Sequence, residues 1–362
     1  MSDLKITVEA ELTRKFYVSI IIPIHNGSKW IDSCFNSILQ QTAKDKLNLE
    51  VCICNDASTD NTAELLSEWE QKFNDNHIKV RMFTNTSGQP KGVGYAKNQA
   101  VGVSTGNYLC FQDIDDIMLP NRVLSQYTLA EQVPKNTLIG SKFQREPEDS
   151  TIRYTKWANS LTDKQLNEQI YTSHGPTVIM PTWFCHREIF EKIGGFNEEG
   201  KGTPEDLIFF YEHINNDGRV ARVDETLLIY RYHEEATTFS IKEETIWNVR
   251  MRQLEKNVLN KWNAFTIWNA GKQGRKFYNC LNKSNKDKVI AFCDVDVKKI
   301  KRKYCPYDPI LRKAGKTVDI VHFKEAKPPF IICMKQDLTK GVFEDNLKSL
   351  NLIENTDYIF FS

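Results

Sequence analysis

The sequence predicts an α/β protein in two parts, the first built on a mainly parallel sheet flanked by helices. Apolar runs that stop abruptly at polar residues alternate with stretches of helical periodicity, the pattern of strands buried on both faces joined by amphipathic helices. The residues that end these runs are notably acidic: "FQDIDD" (111–116) places three carboxylates in four positions directly after Tyr108-Leu109-Cys110-Phe111. Length agrees with two parts, since 362 residues exceed one average domain.

The first run, "YVSIIIPIHN" (17–26), is expected as a strand, and Trp30, Ile31, Cys34, Phe35, Ile38 and Leu39 then recur at helical spacing. "LEVCICNDAS" (49–58) repeats the strand, with "STDNTAELLSEWEQKF" supplying a Ser or Asp cap before a second amphipathic helix. "IKVRMFTN" (78–85) predicts a third strand, "GVGYAKNQAVGVS" (92–104) a helix with a glycine-rich lead-in, and "GNYLCFQDIDD" a fourth strand. Ligands in such sheets sit beyond the carboxyl ends of the strands, so His25-Asn26, Asn55-Asp56 and Asp113-Ile114-Asp115-Asp116 are expected to converge on one crevice. A second unit begins near Trp262. There "AFTIWNAGKQGRKFYNCL" (264–281) reads as strand, glycine-containing turn and helix, and "KVIAFCDVD" (288–296) and "PFIICMK" (329–335) as further strands, a small Rossmann-like pattern. The expected division is a tail over 1–16, a first domain over 17–242, a helical connector over 243–262 and a C-terminal domain over 263–362.

Composition narrows the classes. Forty-eight basic against forty-seven acidic side chains leave a formal charge of +1, which excludes a surface built throughout for nucleic acid and leaves room only for a local basic face. Nine cysteines are an odd number and lie mostly inside apolar runs, so a reducing compartment is expected and a zinc site is not. "MSDLKITVEAELTRKF" carries charges throughout, and no stretch approaches the roughly eighteen apolar residues of a membrane span; a cytoplasmic protein without a membrane partner is expected.

Neighbouring carboxylates at the end of a buried strand repel one another and lose solvent, so they call for a compensating cation or bound group. In chain order, "VSIIIPIHN", "NDASTDNT", "GVGYAKNQAV…TGNYLCFQDIDD", "MPTWFCHREIFEKIGGFNEE", "PEDLIFFYEHI" and "YRYH" resemble the motifs of the family 2 glycosyltransferases over about residues 17–235. That resemblance implies a GT-A glycosyltransferase domain and an inverting, metal-dependent transfer from a nucleotide sugar. It implies that Asp115, with Asp113 and His233, holds a divalent metal (Mn2+ or Mg2+), that Asp113-Ile114-Asp115 forms the D-x-D unit, and that Asp206 is the general base beside Glu205. It also implies a nucleotide pocket lined by Pro23, His25, Asn26, Asp56, Lys97, Asn98, Asp113, Ile114 and Trp183. The residues themselves leave other readings open. Asp56 suits an Asx turn or helix cap, Lys97 a solvated helix face, Glu205 and Asp206 dipole capping at a helix start, His233 a structural role, and Trp183 core packing as much as stacking.

Within the family, "GPTVIMPTWFC", "PEDLIFFYEH", "FTIWNAGKQGR", "AFCDVD" and "FEDNLKSL" resemble the branch that glycosylates queuosine in tRNA, here with Lys91 in place of an arginine. This implies UDP-galactose as the donor and queuosine-modified tRNA as the partner. A UDP-N-acetylglucosamine transferase acting on a protein or glycan, and a nucleotide-sugar- or tRNA-binding protein without catalysis, are the alternatives. In the C-terminal part, "NAGKQG" lacks the first glycine of a dinucleotide fingerprint because Asn269 occupies it. Packing or acceptor docking is therefore expected there, with Lys272, Arg275, Lys276 and "KKIKRK" (298–303) available to phosphates or simply solvated.

Overall fold

The computed structural model describes residues 17–308, 312–336 and 338–362; the expected tail over 1–16 lies outside the described residues. The chain divides into one unit that runs to residue 167 and resumes over 175–245, and a second made of 168–174 and 246–362. Among the described residues no helix is long and apolar enough to cross a membrane.

The first unit is organised by eight strands: β1 (Tyr17–Ile24), β2 (Asn48–Asn55), β3 (Lys79–Thr84), β4 (Tyr108–Phe111), β5 (Ile117–Met118), β6 (Thr137–Glu146), β7 (Phe184–His186) and β8 (Arg219–Arg231). Their order across the sheet is β3-β2-β1-β4-β7-β6-β8-β5. The pairs β3-β2, β2-β1, β1-β4 and β6-β8 are parallel, while β7 runs antiparallel to both β4 and β6, and β5 antiparallel to β8. Helices α1 (Ser28–Leu39), α2 (Thr62–Asp75), α3 (Val93–Val103), α4 (Arg122–Ala130), α5 (Arg187–Ile193) and α6 (Glu205–Asn215) connect or cover them. The apolar positions that set the helical periodicity meet the strands: Ile31, Cys34, Phe35 and Ile38 of α1 and Leu66, Trp69 and Phe73 of α2 pack with Val18, Ile20, Ile22 and Val51 in one buried cluster.

Two expectations about the strands are refined. The fourth strand stops at Phe111, and Asp113–Asp116 form a tight turn closed by the Asp116 N–H on the Asp113 carbonyl (3.2 Å), which spares three like charges a place in the ladder. Pro23 sits inside β1, paired with Cys54 of β2, but the pairing of β1 with β4 ends at Ile21, so the missing N–H leaves no gap in that ladder.

Strands β9 (Phe265–Trp268), β10 (Val289–Asp294), β11 (Lys303–Tyr304), β14 (Val318–His322), β15 (Phe330–Ile332) and β16 (Tyr358–Phe360) form the second unit's sheet in the order β11-β14-β10-β9-β15-β16, with a separate hairpin of β12 (Tyr307–Asp308) and β13 (Lys313–Ala314). All its pairs are parallel except β11-β14. Strands added on both sides of the first one, β10 and β14 on one side and β15 and β16 on the other with β11 at the far edge, make this a doubly wound sheet, with helices α7 (Lys272–Cys280) and α8 (Val342–Lys348) following β9 and β15. Residues 243–262, expected as one helix, form the helix Glu243–Leu254 continued by a π-helical turn over Glu255–Leu259.

One buried carboxylate ties the amino-terminal edge of the first sheet together. Glu50 of β2, 1% exposed, accepts hydrogen bonds from Ser19 Oγ (2.6 Å), Arg81 Nε (2.7 Å), the Thr105 amide and hydroxyl, and the Gly106 amide. Burial alone would raise its pKa; the Ser19, Thr105 and Arg81 donors outweigh burial and bring it from 4.5 down to about 2. A carboxyl depressed by folding stabilises above its unfolded pKa and loses that contribution as pH falls through its folded one, here on the order of 3 kcal/mol. Glu50→Gln is therefore expected to lower Tm at pH 7 and to flatten the loss of stability between about pH 4.5 and about pH 2 in acid titrations followed by circular dichroism. An unchanged acid limb would contradict this assignment.

Candidate active site

The acidic turn between β4 and β5 sits at the carboxyl end of β4, beside those of β1 and β2. Oxygens of Asp113, Asp115 and Asp116 all lie within 4.8 Å of one another, the first two half-buried and the third buried. The antiparallel register of β5 on β8, Ile117 with Ile229, carries the end of β8 along the turn. Two residues on, His233 Nε2–H donates to Asp115 Oδ2 (2.8 Å). Arg231 stitches the same region: its N–H donates to Asp116 Oδ1 (3.0 Å), its Nη1 to the Asp115 carbonyl (3.2 Å) and Ser33 Oγ (2.8 Å), and its Nε to Glu146 (2.8 Å).

Two buried atoms in this cluster have no hydrogen-bond partner among the described residues, Asp116 Oδ2 and His233 Nδ1. Unpaired acceptors in a half-buried, oxygen-rich setting fit a hard divalent cation such as Mg2+ or Mn2+. The donor set differs from the expected one by a member: Asp116, not assigned from sequence, lies with Asp113 and Asp115. Burial, together with the charges of Asp115 and Asp113, pushes its carboxyl well above the usual range. Asp113 is raised to about 7, by burial first, with the Lys97 cation opposing and Asp115, Glu205 and Asp206 reinforcing.

A second acidic pair faces the first across one cation. Helix α6 begins at Glu205-Asp206, where the helix dipole favours negative charge. Lys97 of α3 is 1% exposed and donates from Nζ to Glu205 Oε1 (2.7 Å). Burial acts to lower the Lys97 pKa, but Glu205, Asp113 and Asp206 overcome it and the net shift is upward. The solvated-face reading of Lys97 is thereby replaced by a buried ion pair. Asp206 accepts its neighbour Leu207's N–H on Oδ1 (2.7 Å) and is raised to about 6, by burial first and by Glu205 next. The close approach of α3 to the loop before α6 depends on small residues. Gly92 has φ 99°, and a Cβ on Gly94 would lie 2.1 Å from the Asn197 carbonyl oxygen.

The expected nucleotide-pocket residues divide into three groups. His25 and Asn26 are exposed past the end of β1: His25 Nδ1–H donates to the Asp56 carbonyl (2.7 Å), and Asn26, at φ 52°, accepts the Thr59 amide (2.8 Å). Pro23 and Ile114 are wall residues, Pro23 buried in β1 and Ile114 packed on the β1-α1 core beside Gly27. Asp56 and Asn98 are engaged within the chain. Asp56, 1% exposed, accepts from Asn85 Nδ2 (2.7 Å) on one oxygen and from the Lys91 and Gly92 amides (2.8 and 2.9 Å) on the other, tying β2 to the lead-in of α3. Asn98 bonds the backbone of Phe196 in both directions and reaches Glu198.

Trp183 corrects the stacking expectation. It is fully buried, donates Nε1–H to the Val178 carbonyl (2.9 Å), and packs among Phe111, Phe196 and Phe209, so it supports the site from beneath and has no face to offer a ligand. Sequence reading missed the scaffold of the acidic turn. Arg122 at the start of α4, fully buried, donates to Gln112 Oε1 and the Phe111 carbonyl (both 2.6 Å), and Gln112 Nε2 donates to the carbonyls of Asp113 and Asp116. The available signal was an arginine opening an otherwise apolar helix face in "LPNRVL".

Residues 19–194 match the family model Glycosyl transferase family 2. The chain is 24% identical over 318 residues to the uncharacterized glycosyltransferase EpsJ of Bacillus subtilis, covering 85% of this chain and 88% of that protein. It is 43% identical over 114 residues to a chondroitin synthase of Escherichia coli, but spans only 15% of that protein and 32% of its own length. Among solved structures, S. aureus TarS 1–349 in complex with UDP-GlcNAc superposes with a TM-score of 0.54 at 17% identity, over 74% of this chain and 71% of that one, a likeness of fold. Residues 19–194, just under half of the chain, are thus similar to glycosyl transferase family 2, and the fold is GT-A followed by a smaller α/β unit.

Proposed function

We propose that the protein is an inverting glycosyltransferase that moves galactose from UDP-galactose to queuosine at the wobble position of a tRNA, with residues 17–242 as the catalytic domain. The observation that carries the transferase reading is the convergence, around the buried Lys97, of the metal-fitting turn Asp113-Ile114-Asp115-Asp116 and the acid pair at the head of α6. The donor and acceptor are supported by the resemblance along the whole chain, from "GPTVIMPTWFC" to "FEDNLKSL".

A divalent cation, when bound, supplies positive charge to a diphosphate leaving group. Asp113, Asp115, Asp116 and His233 Nδ1 are the groups that would hold it. The rest is the work of the chain. Asp206 takes the proton of the attacking hydroxyl, at the carboxylate oxygen opposite the one that accepts the Leu207 amide. Lys97, paired with Glu205, opposes the upward pull of that carboxylate on Asp206 and fixes the start of α6. Arg231 and Arg122 hold the acidic turn from either side without spending their charge on the leaving group.

The deciding experiment incubates the protein with queuosine-containing tRNA and UDP-galactose, UDP-glucose or UDP-N-acetylglucosamine, then weighs the released nucleoside. One added hexose from UDP-galactose alone is expected; N-acetylhexosamine would transfer the reading to the alternative donor. In calorimetry Mn2+ and UDP should each strengthen the binding of the other, and Asp115→Asn should remove that mutual effect. Asp206→Asn should retain UDP binding while lowering kcat about 100- to 10,000-fold. Because a base must be deprotonated and Asp206 titrates near 6, wild-type kcat is expected to fall about tenfold per pH unit below that value. A residual rate in Asp206→Asn that still follows the same acid limb would remove Asp206 from the role.

A further inference from the structure

The geometry points to the second unit as a binding site for the phosphate backbone of a polynucleotide, in a groove of about 740 Å3 over the start of α7. Four cations line it: Lys272, Arg275 and Lys276 on α7, and Lys299 from the loop after β10. Positions i, i+3 and i+4 share one helix face, so the charge is laid out as a row with Lys299 beside it. Lys272 and Arg275 are exposed, and among the described residues neither has a carboxylate partner; Arg275 is held over the Tyr304 ring (5.1 Å), while Lys276 lies over Trp247 (4.0 Å). Lys298, Lys301 and Arg302 on the Lys299 loop are exposed as well. In a chain of formal charge +1, such a local excess marks an anion-binding face.

The turn beneath the groove decides between a nucleotide cofactor and a string of phosphates. Asn269 takes φ 107° where the dinucleotide fingerprint has its first glycine, and a Cβ on Gly274 would lie 1.8 Å from the Asn269 carbonyl oxygen, the close strand-to-helix packing of that motif. Yet the acid that would hold a ribose diol is already saturated. Asp294 Oδ1 accepts the Val295 and Asp296 amides, and Oδ2 accepts the Ala270 amide and Lys299 Nζ (both 3.0 Å). The groove therefore offers donors to phosphates, while the acid at the end of β10 is used up within the chain. The inference rests on the proposed acceptor only for the identity of the polynucleotide as tRNA.

The test titrates a labelled tRNA transcript lacking queuosine against the full chain at several salt concentrations. Replacing both cations, Lys272→Gln with Arg275→Gln, is expected to weaken binding about tenfold and to flatten the slope of log K against log salt by roughly 1.4, while Mn2+-UDP binding in the first unit is unchanged. Should the double variant fold poorly, Lys272→Gln alone is expected to show half that change in slope. Affinity and slope equal to wild type would overturn the inference, as would a wild-type chain that binds no RNA. Displacement of the RNA by NADH would do the same and make the groove a cofactor site. Groove-dependent binding without sugar transfer to queuosine-containing tRNA would instead sink the proposed acceptor and leave the groove standing.

Discussion

Everything at the candidate site follows from holding five carboxylates together in a setting that cannot solvate them. Asp113, Asp115 and Asp116 share one turn and Glu205 and Asp206 one helix start, with Lys97 as the buried cation among them. Lys97 forms its ion pair with Glu205, and its field reaches Asp113 and Asp206, so the deficit of positive charge falls mainly on the acidic turn. A buried carboxylate lowers its energy by taking up a proton or by gaining a cation. The raised Asp113 and Asp116 carboxyls show the first response in the free protein. The unpartnered oxygen of Asp116 and nitrogen of His233 show where the second would be met.

The fold makes that concentration of charge tolerable by recruiting neutral and backbone donors from several elements. Gln112, wedged between Arg122 and the turn, fixes the Asp113 and Asp116 carbonyls, so the positions of the acids are set by amide geometry and not by their mutual repulsion. Arg231 reaches the same turn from β8, and its register comes from the parallel pairing with β6, in which Arg231 lies opposite Glu146. The second, mixed half of the sheet, β7-β6-β8-β5, thus serves to close the site around an acidic edge that the parallel half presents.

The parallel half was legible because its strands are long, apolar on both faces and followed by strongly periodic helices; the acids at their ends were legible because charge next to such runs is rare. The mixed half was not. β5 and β7 are two and three residues long and carry no period of their own; pairing with the long β8 gives β5 its place, and β4 and β6 on either side give β7 its own. Side-chain partners were not legible. Trp183, Asp56, Asn98 and Lys97 were read as facing a ligand, and each is turned toward the chain: Trp183 into an aromatic cluster, Asp56 and Asn98 onto backbone amides and side-chain partners, Lys97 onto Glu205. Motif spacing identifies which residues gather near a strand end. Whether a polar side chain there faces inward or outward is decided by donors from distant segments, which spacing does not contain.

The second unit shows the same separation between what a motif says about backbone and what it says about ligands. A missing glycine argued against a dinucleotide turn, but the backbone requirement is a positive φ, and asparagine meets it because its short side chain bonds locally, here Oδ1 accepting the Gly271 amide (2.7 Å) and Nδ2 donating to the Cys333 carbonyl (2.8 Å). Those two bonds tie the end of β9 to the residue after β15 and to the head of α7, so the turn is held by the chain's own groups. Asp294 completes the lock from β10 through the Ala270 amide. With the acid consumed in building the turn, Lys272 and Arg275 above it are left facing outward, and the chemistry of the surface passes from recognising a sugar to recognising charge.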